Sequence, residues 1–219
     1  MGMERTLEPE VMDTPDEANE YDEMDHSEPN EAFVDRLVEL GADGRMLDIG
    51  TGPGHIPLLV CEHLPDAMVV GVDMSKEMLA IADEHRFTSL YASRIEYREA
   101  DAKDLGFPDG SFDAVYSNTL LHHIEDPRPF LSEARRVLKP GGAFLIRDLF
   151  RPETPERALE LVELYAGDAT PKQKELFRAS LHAALTREEL RAVADEAGLA
   201  DAELVIDSDR HMSLQLPAR

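Results

Sequence analysis

The stretch LDIGTGPGHIP, residues 47–57, decides the fold. A short apolar run, Met46–Ile49, reads as a strand. Gly50, Gly52 and Gly54 follow it, and an apolar helical stretch begins at once. Glycines at this spacing permit a tight turn and let a ligand approach the backbone free of Cβ atoms, with Thr51 inside the same turn. The helix start behind them presents unpaired N–H groups. The pattern is GxGxG rather than the GxGxxG of dinucleotide sites, because its third glycine comes one residue early. Asp48, two residues before Gly50, would repel a pyrophosphate but can orient a cationic amino-acid group.

Outward from this turn, apolar runs and helical stretches alternate. Strands are expected at Met46–Ile49, Met68–Val72, Ile95–Arg98, Phe112–Ser117 and Ala143–Arg147, and helices at about 55–64, 76–91 and 127–138. Such alternation implies right-handed crossovers and a mostly parallel sheet covered on both faces. Upstream, Phe33, Val34, Leu37, Val38 and Leu40 fall at helical spacing and Gly41 follows as a C-cap. Residues 1–30 form an acidic arm with Arg5 as its only cation. Alone it reads as disordered, yet Met12, Tyr21 and Met24 offer apolar anchors for folding over a ligand. Beyond Phe150 the rhythm breaks. Residues 152–185 read as two amphipathic helices interrupted near Gly167–Pro171, an insertion suited to a lid. Thr186–Glu189 resembles a capping box opening a helix that ends at Gly198. Two strands, about 202–207 and 211–216, close the chain.

Further acidic residues fall at strand ends. In GVDMS (71–75), Asp73 closes the second strand, where a carboxylate can accept both hydroxyls of a ribose. Met74 can pack on an adenine face. The competing reading of Asp73 is a helix cap, which Ser75 would provide equally well. After the third strand, Asp101 can accept an adenine amine while the Ala102 N–H serves a ring nitrogen. The fourth strand ends at Asn118, ahead of His122 and His123.

Together LDIGTGPG, GVDMS, EADAKDLGFPDGSFDAVYSNTLLHHIEDP and ARRVLKPGGAFLIRD (134–148) resemble the class I S-adenosylmethionine (SAM)-dependent methyltransferases, in particular the small-molecule branch with the ubiquinone and menaquinone methyltransferases. The resemblance spans roughly residues 45–148. It implies an α/β, Rossmann-like seven-stranded sheet with an antiparallel last strand, SAM as cofactor, and LKPGG as a turn before the fifth strand. It also implies a tyrosine of the N-terminal segment lying against SAM, for which Tyr21 is the candidate, with a plain packing anchor as the alternative. Residues 31–219 then form the methyltransferase domain, with 1–30 closing over the cofactor and 152–185 as the helical lid.

Displacement at a sulfonium has a neutral leaving group, so the protein mainly aligns the reactants and excludes water. A base helps only where the acceptor must lose a proton. His122 and His123 have the right chemistry for that. Arg147, Asp148 and Arg151 cluster at the fifth strand's end, where an arginine can pair with an anionic acceptor, or the three can form ion pairs among themselves. Arg178 and His182 share a face of the lid, as substrate contacts or as surface. No HExxH or Cys/His spacing points to a metal.

Composition narrows the partners. There are 46 acidic against 22 basic residues, a net −24, with lysine at only five positions. A polyanion would be repelled, and no basic block offsets this. SNTL also stands where nucleic-acid enzymes of this class carry an NPPY-type tetrapeptide. The acidic surface suits a salty cytoplasm or reflects an arginine-using genome. No apolar run approaches the roughly 20 residues of a membrane span, and the N-terminus lacks the pattern of a secretory signal. The single cysteine, Cys61, reads as a buried inert thiol. The expectation is a cytoplasmic monomer or homodimer acting on a small-molecule acceptor. Open alternatives are another SAM-using chemistry, a protein acceptor, or a SAM-binding module without turnover.

Overall fold

The computed structural model describes residues 2–8, 14–24 and 26–219, so Met12 lies outside the described residues. Helix α1 (Pro15–Asp22) lies in the arm and α2 (Ser27–Glu39) follows. The α/β alternation is β1 (Arg45–Ile49), α3 (His55–His63), β2 (Met68–Asp73), α4 (Lys76–Thr88), β3 (Ile95–Glu99), β4 (Phe112–Asn118), α5 (Pro127–Val137) and β5 (Leu138–Leu149). Helices α6 (Pro155–Ala166), α7 (Pro171–Ala183) and α8 (Arg187–Glu196) precede β6 (Glu203–Ile206) and β7 (His211–Leu216).

The seven strands run in the order β3-β2-β1-β4-β5-β7-β6, with β7 antiparallel to both β5 and β6. The order reverses between β1 and β4, which leaves a crevice beyond their carboxyl ends, where ligands of open α/β sheets bind.

Strand alternation supplies two cores. Leu47, Ile49, Val70, Val72 and Val115 face α5 and α8, whereas Met46, Val69, Ala114 and Tyr116 face α2 and α3. Helix α5 is set by its sequence: Asp126 caps the Arg128 N–H, Pro127 takes the first turn, and Phe130, Leu131, Ala134 and Val137 make one buried stripe. A third cluster joins Leu149 to Ala158, Leu161 and Val162 of α6 and Leu181 of α7, fixing these two helices over the end of β5. Cys61 is buried, and desolvation raises its thiol pKa, making it inert.

Two expectations need correction. LKPGG is part of β5 rather than a turn before it. Phe112 pairs with Leu138 and Ala114 with Ala143, so the intervening residues form a bulge. The helix expected to reach residue 91 stops at Thr88, where the Ser89 hydroxyl and N–H both bond to the Arg86 carbonyl. The capping box at Thr186 and Glu189 is present as read. Among the described residues, no helix is long and apolar enough to cross a membrane.

Candidate active site

The glycine turn is pinned from both sides. Gly50 and Thr51 N–H donate to the Val72 carbonyl at 2.8 and 3.0 Å, and Gly54 N–H donates to Thr51. The Gly52 N–H donates to Asp73 Oδ2 at 2.9 Å, while Asp73 Oδ1 accepts from Ser75 N–H at 2.9 Å. Asp73 therefore shapes the turn through both carboxylate oxygens. Gly54 has φ +81°, and a Cβ there would collide with the Tyr97 hydroxyl. Gly52 has φ +53°, yet a Cβ there would meet nothing within 4 Å. Its glycine is thus favoured by its left-handed conformation and not by packing. Such a cradle fits a ligand laid against backbone.

Asp48 lies beneath the turn, buried, and accepts a hydrogen bond from Thr51 Oγ1 at 2.8 Å. Burial pushes its pKa up to about 7, and nearby Asp73 adds to this against the Thr51 hydrogen bond.

A cavity of about 560 Å³ opens above Gly50, Thr51 and Gly52. Asn118, His122, His123 and Arg147 line its floor, and Tyr21 and Met24 of the arm its side. Tyr165 of α6 and Leu176 and Phe177 of α7 also line it. Its volume falls within the range of small-molecule sites, about 300–1,000 Å³. Of the residues singled out in the sequence, Tyr21, Gly50, Thr51, Gly52, Asn118, His122, His123 and Arg147 meet at this lining. Asp48, Gly54, Asp73, Met74, Asp101 and Ala102 lie outside it, around the turn and along the edges of β2 and β3. Asp101 there accepts the Lys103 N–H at 2.9 Å and pairs with its ammonium at 3.1 Å. Burial works against ionisation of Asp101, but the Lys103 contacts outweigh it and lower the pKa.

At the end of β5 the expected mutual ion pairs do not form. Arg147 donates to Asn118 Oδ1 at 3.0 Å and to the Pro29 carbonyl at 2.7 Å, and stacks 4.8 Å from the Phe33 ring centroid. Arg151 turns away to the Ala184 carbonyl and Glu189. Asp148 instead pairs with His122, whose Nδ1 lies 2.7 Å from Oδ1, both side chains being 2% exposed. Burial alone would lower the His122 pKa, but Asp148 and then Glu8 reverse this and raise it; the Asp148 carboxyl is held below its ordinary range by that imidazole. His123 is pushed down to about 4, chiefly by burial and then by His122, and so stays neutral at pH 7. Arg178 pairs with Glu175 on an exposed face, and neither it nor His182 reaches the cavity lining.

The sequence reading missed three contributors. Glu8 places Oε2 at 3.4 Å from His123 Nδ1 and 3.9 Å from His122 Nε2, and accepts from Ser180 Oγ at 3.1 Å. Arg5 ties the arm down by donating to the carbonyls of Ala183, Ile124 and Glu125 at 2.7–3.0 Å. Thr119 has φ +63°, an uncommon strain for a β-branched residue, directly behind Asn118. Only Arg5 carried a signal, as the arm's sole cation.

The strand order, the crevice and the glycine turn define a class I methyltransferase fold. Residues 47–146 match the family described as Methyltransferase domain. The demethylmenaquinone methyltransferase of Thermus thermophilus is 35% identical over 150 residues, 61% of this chain and 66% of that protein. The 27-O-demethylrifamycin SV methyltransferase of Amycolatopsis mediterranei is 34% identical over 126 residues, 56% of this chain and 46% of that protein. Among solved structures, phosphoethanolamine N-methyltransferase 2 of Haemonchus contortus, in complex with phosphomonomethylethanolamine and S-adenosylhomocysteine, superposes with a TM-score of 0.63. It is 28% identical, with 82% of this chain and 39% of that one covered. A SAM-dependent methyltransferase from Aquifex aeolicus shares the fold at TM-score 0.64 and 20% identity, covering 92% and 97%. The chain spans about half to two thirds of the length of these curated relatives.

Proposed function

We propose that this protein transfers a methyl group from SAM to a small-molecule acceptor. The observation that carries the reading is the open Gly52 cradle, joined by one hydrogen bond to the Asp73 carboxylate and opening into the cavity. SAM supplies an activated methyl on a sulfonium whose leaving group is neutral. In this reading the backbone of residues 50–52 receives the amino-acid end and Asp73 holds the ribose. Met74, Asp101 and Ala102 take the adenine. Asp48, its pKa pushed up to about 7 by burial, keeps the turn in shape through Thr51.

The rest of the cavity orients the acceptor and handles its proton. The His122 Nδ1–H donates to Asp148, which leaves Nε2 on the Glu8 side. His122, once deprotonated at Nε2, accepts the acceptor's proton, and Asp148 stabilises the resulting imidazolium. Arg147, fixed by Asn118 and Pro29, offers its charge to an anionic group. Residues 1–30 and 152–185 serve as the lid that excludes water, a role supported by the positions of Tyr21, Met24, Leu176 and Phe177 on the cavity wall. The net charge of −24 argues against a nucleic-acid acceptor. A cytoplasmic monomer or homodimer remains our reading of its state.

The test is isotope-labelled SAM incubated with the protein and fractionated metabolite extracts, read by mass spectrometry. Transfer of the labelled methyl to a small molecule is expected. SAM binding without label transfer to any fraction would point to a non-catalytic module, and no SAM binding would overturn the reading.

A further inference from the structure

Beside the cavity, three side chains from three separate elements converge. Asp22 ends α1, His55 opens α3 directly behind the glycine turn, and His85 lies in the last turn of α4. Asp22 Oδ1 stands 2.8 Å from His55 Nε2, and Asp22 Oδ2 stands 3.3 Å from His85 Nε2. The two imidazole centroids are 5.0 Å apart.

The tautomer of His85 follows from its other nitrogen. Nδ1 lies 2.9 Å from the Pro53 carbonyl oxygen, which can only accept, so Nδ1 carries hydrogen. A neutral His85 ring then aims the Nε2 lone pair at a carboxylate oxygen. Lone pair against anion is repulsive unless a cation lies between them, either a proton or a metal ion. Asp22 Oδ1 is buried and forms no hydrogen bond despite its closeness to His55. Two imidazole nitrogens and a carboxylate are a common donor set for zinc, and an outer hydrogen bond from imidazole to a backbone carbonyl is the usual way such a ligand is oriented. A tetrahedral zinc site separates neighbouring donors by about 3.3 Å. One donor atom from each of the three side chains lies within 4.8 Å of the others, near enough to close around an ion with small side-chain shifts.

We propose that Asp22, His55 and His85 bind one divalent ion of the zinc class, which clasps the N-terminal arm to α3 and α4 beside the glycine turn. The ion replaces any protons at Nε2 of the two rings, and the partial exposure of all three side chains leaves room for water as the remaining ligand. This departs from the expectation of no metal drawn from sequence spacing, since the three ligands lie far apart in the chain. The acidic surface attracts cations in general, but carboxylates alone favour hard ions, whereas two imidazoles favour zinc over magnesium.

The test uses the tag-free full chain, stripped with a chelator and dialysed against Zn²⁺ or Co²⁺ in a large excess of Mg²⁺. One bound ion per chain is expected, with Co²⁺ giving the visible absorption of a site of low coordination number. His85→Gln and Asp22→Asn should each weaken binding about tenfold or more while leaving the circular dichroism spectrum unchanged. Absence of uptake, equal uptake by wild type and both variants, or loss of uptake in Glu8→Gln instead would each overturn the proposal. None of these measurements involves SAM, so the methyltransferase reading stands or falls separately.

Discussion

The His122 imidazole and the Asp148 carboxylate form a buried pair, 2.7 Å from Nδ1 to Oδ1, with the backbone N–H groups of His122 and Leu149 also donating to that carboxylate. The pair joins the turn after β4 to the end of β5 at the cavity floor, so it serves both the fold and the proposed chemistry.

Removing one partner from a buried charged pair costs about 3–5 kcal/mol. Asp148→Ala should therefore destabilise the protein by about that amount at pH 7, as read by urea unfolding. The pH dependence follows from the two shifts. The raised His122 pKa gives stability that is full below its unfolded value and fades as pH rises through the folded one. The lowered Asp148 pKa gives stability present above its unfolded value and lost as pH falls through the folded one. The Asp148→Ala deficit should be greatest in mildly acidic buffer and shrink in alkali. A loss under about 1 kcal/mol throughout would contradict the pairing.

Asp48 behaves in the opposite sense. Its folded pKa of about 7 lies above the ordinary carboxyl value, so stability is lost as pH climbs from about 4 towards 7 and then levels off. Asp48→Asn should thus gain stability relative to wild type at pH 8, by about 4 kcal/mol, and gain little at pH 4. Thermal melts at the two pH values measure this, and an equal effect at both would count against a raised pKa.

Asp73→Ala should weaken SAM binding by about 1.5–3 kcal/mol, the scale of hydrogen bonds to charged groups. Because Asp73 also holds Gly52 and Ser75 N–H groups, unfolding should be measured alongside calorimetry. Unchanged affinity would remove the ribose role.

With a net charge of −24, self-repulsion is screened by salt. The melting temperature should rise from low salt to molar KCl, and a flat or falling response would reject adaptation of this surface to salt.

Much of the sheet was legible because local chemistry and tertiary position agree. The glycines at 50, 52 and 54, the alternation in β1 and β2, and the proline and caps of α5 leave few other folds open. Pairings between distant residues were not legible. His122, Asp148, Arg147 and Arg151 were each singled out, yet charge alone favoured arginine–aspartate pairs, and only strand register sends Asp148 to His122. Glu8 was one acid among many in an arm that reads as disordered. The β5 bulge was hidden because Pro-Gly-Gly usually signals a chain reversal.

The central claim is that Gly52 admits the cofactor against bare backbone, and calorimetric titration of SAM into wild type and Gly52→Val tests it most directly. Wild type should bind one SAM per chain. The variant should stay folded, losing about 1–2 kcal/mol of stability to its left-handed backbone, and bind none. A folded Gly52→Val that binds SAM as tightly as wild type would contradict the account.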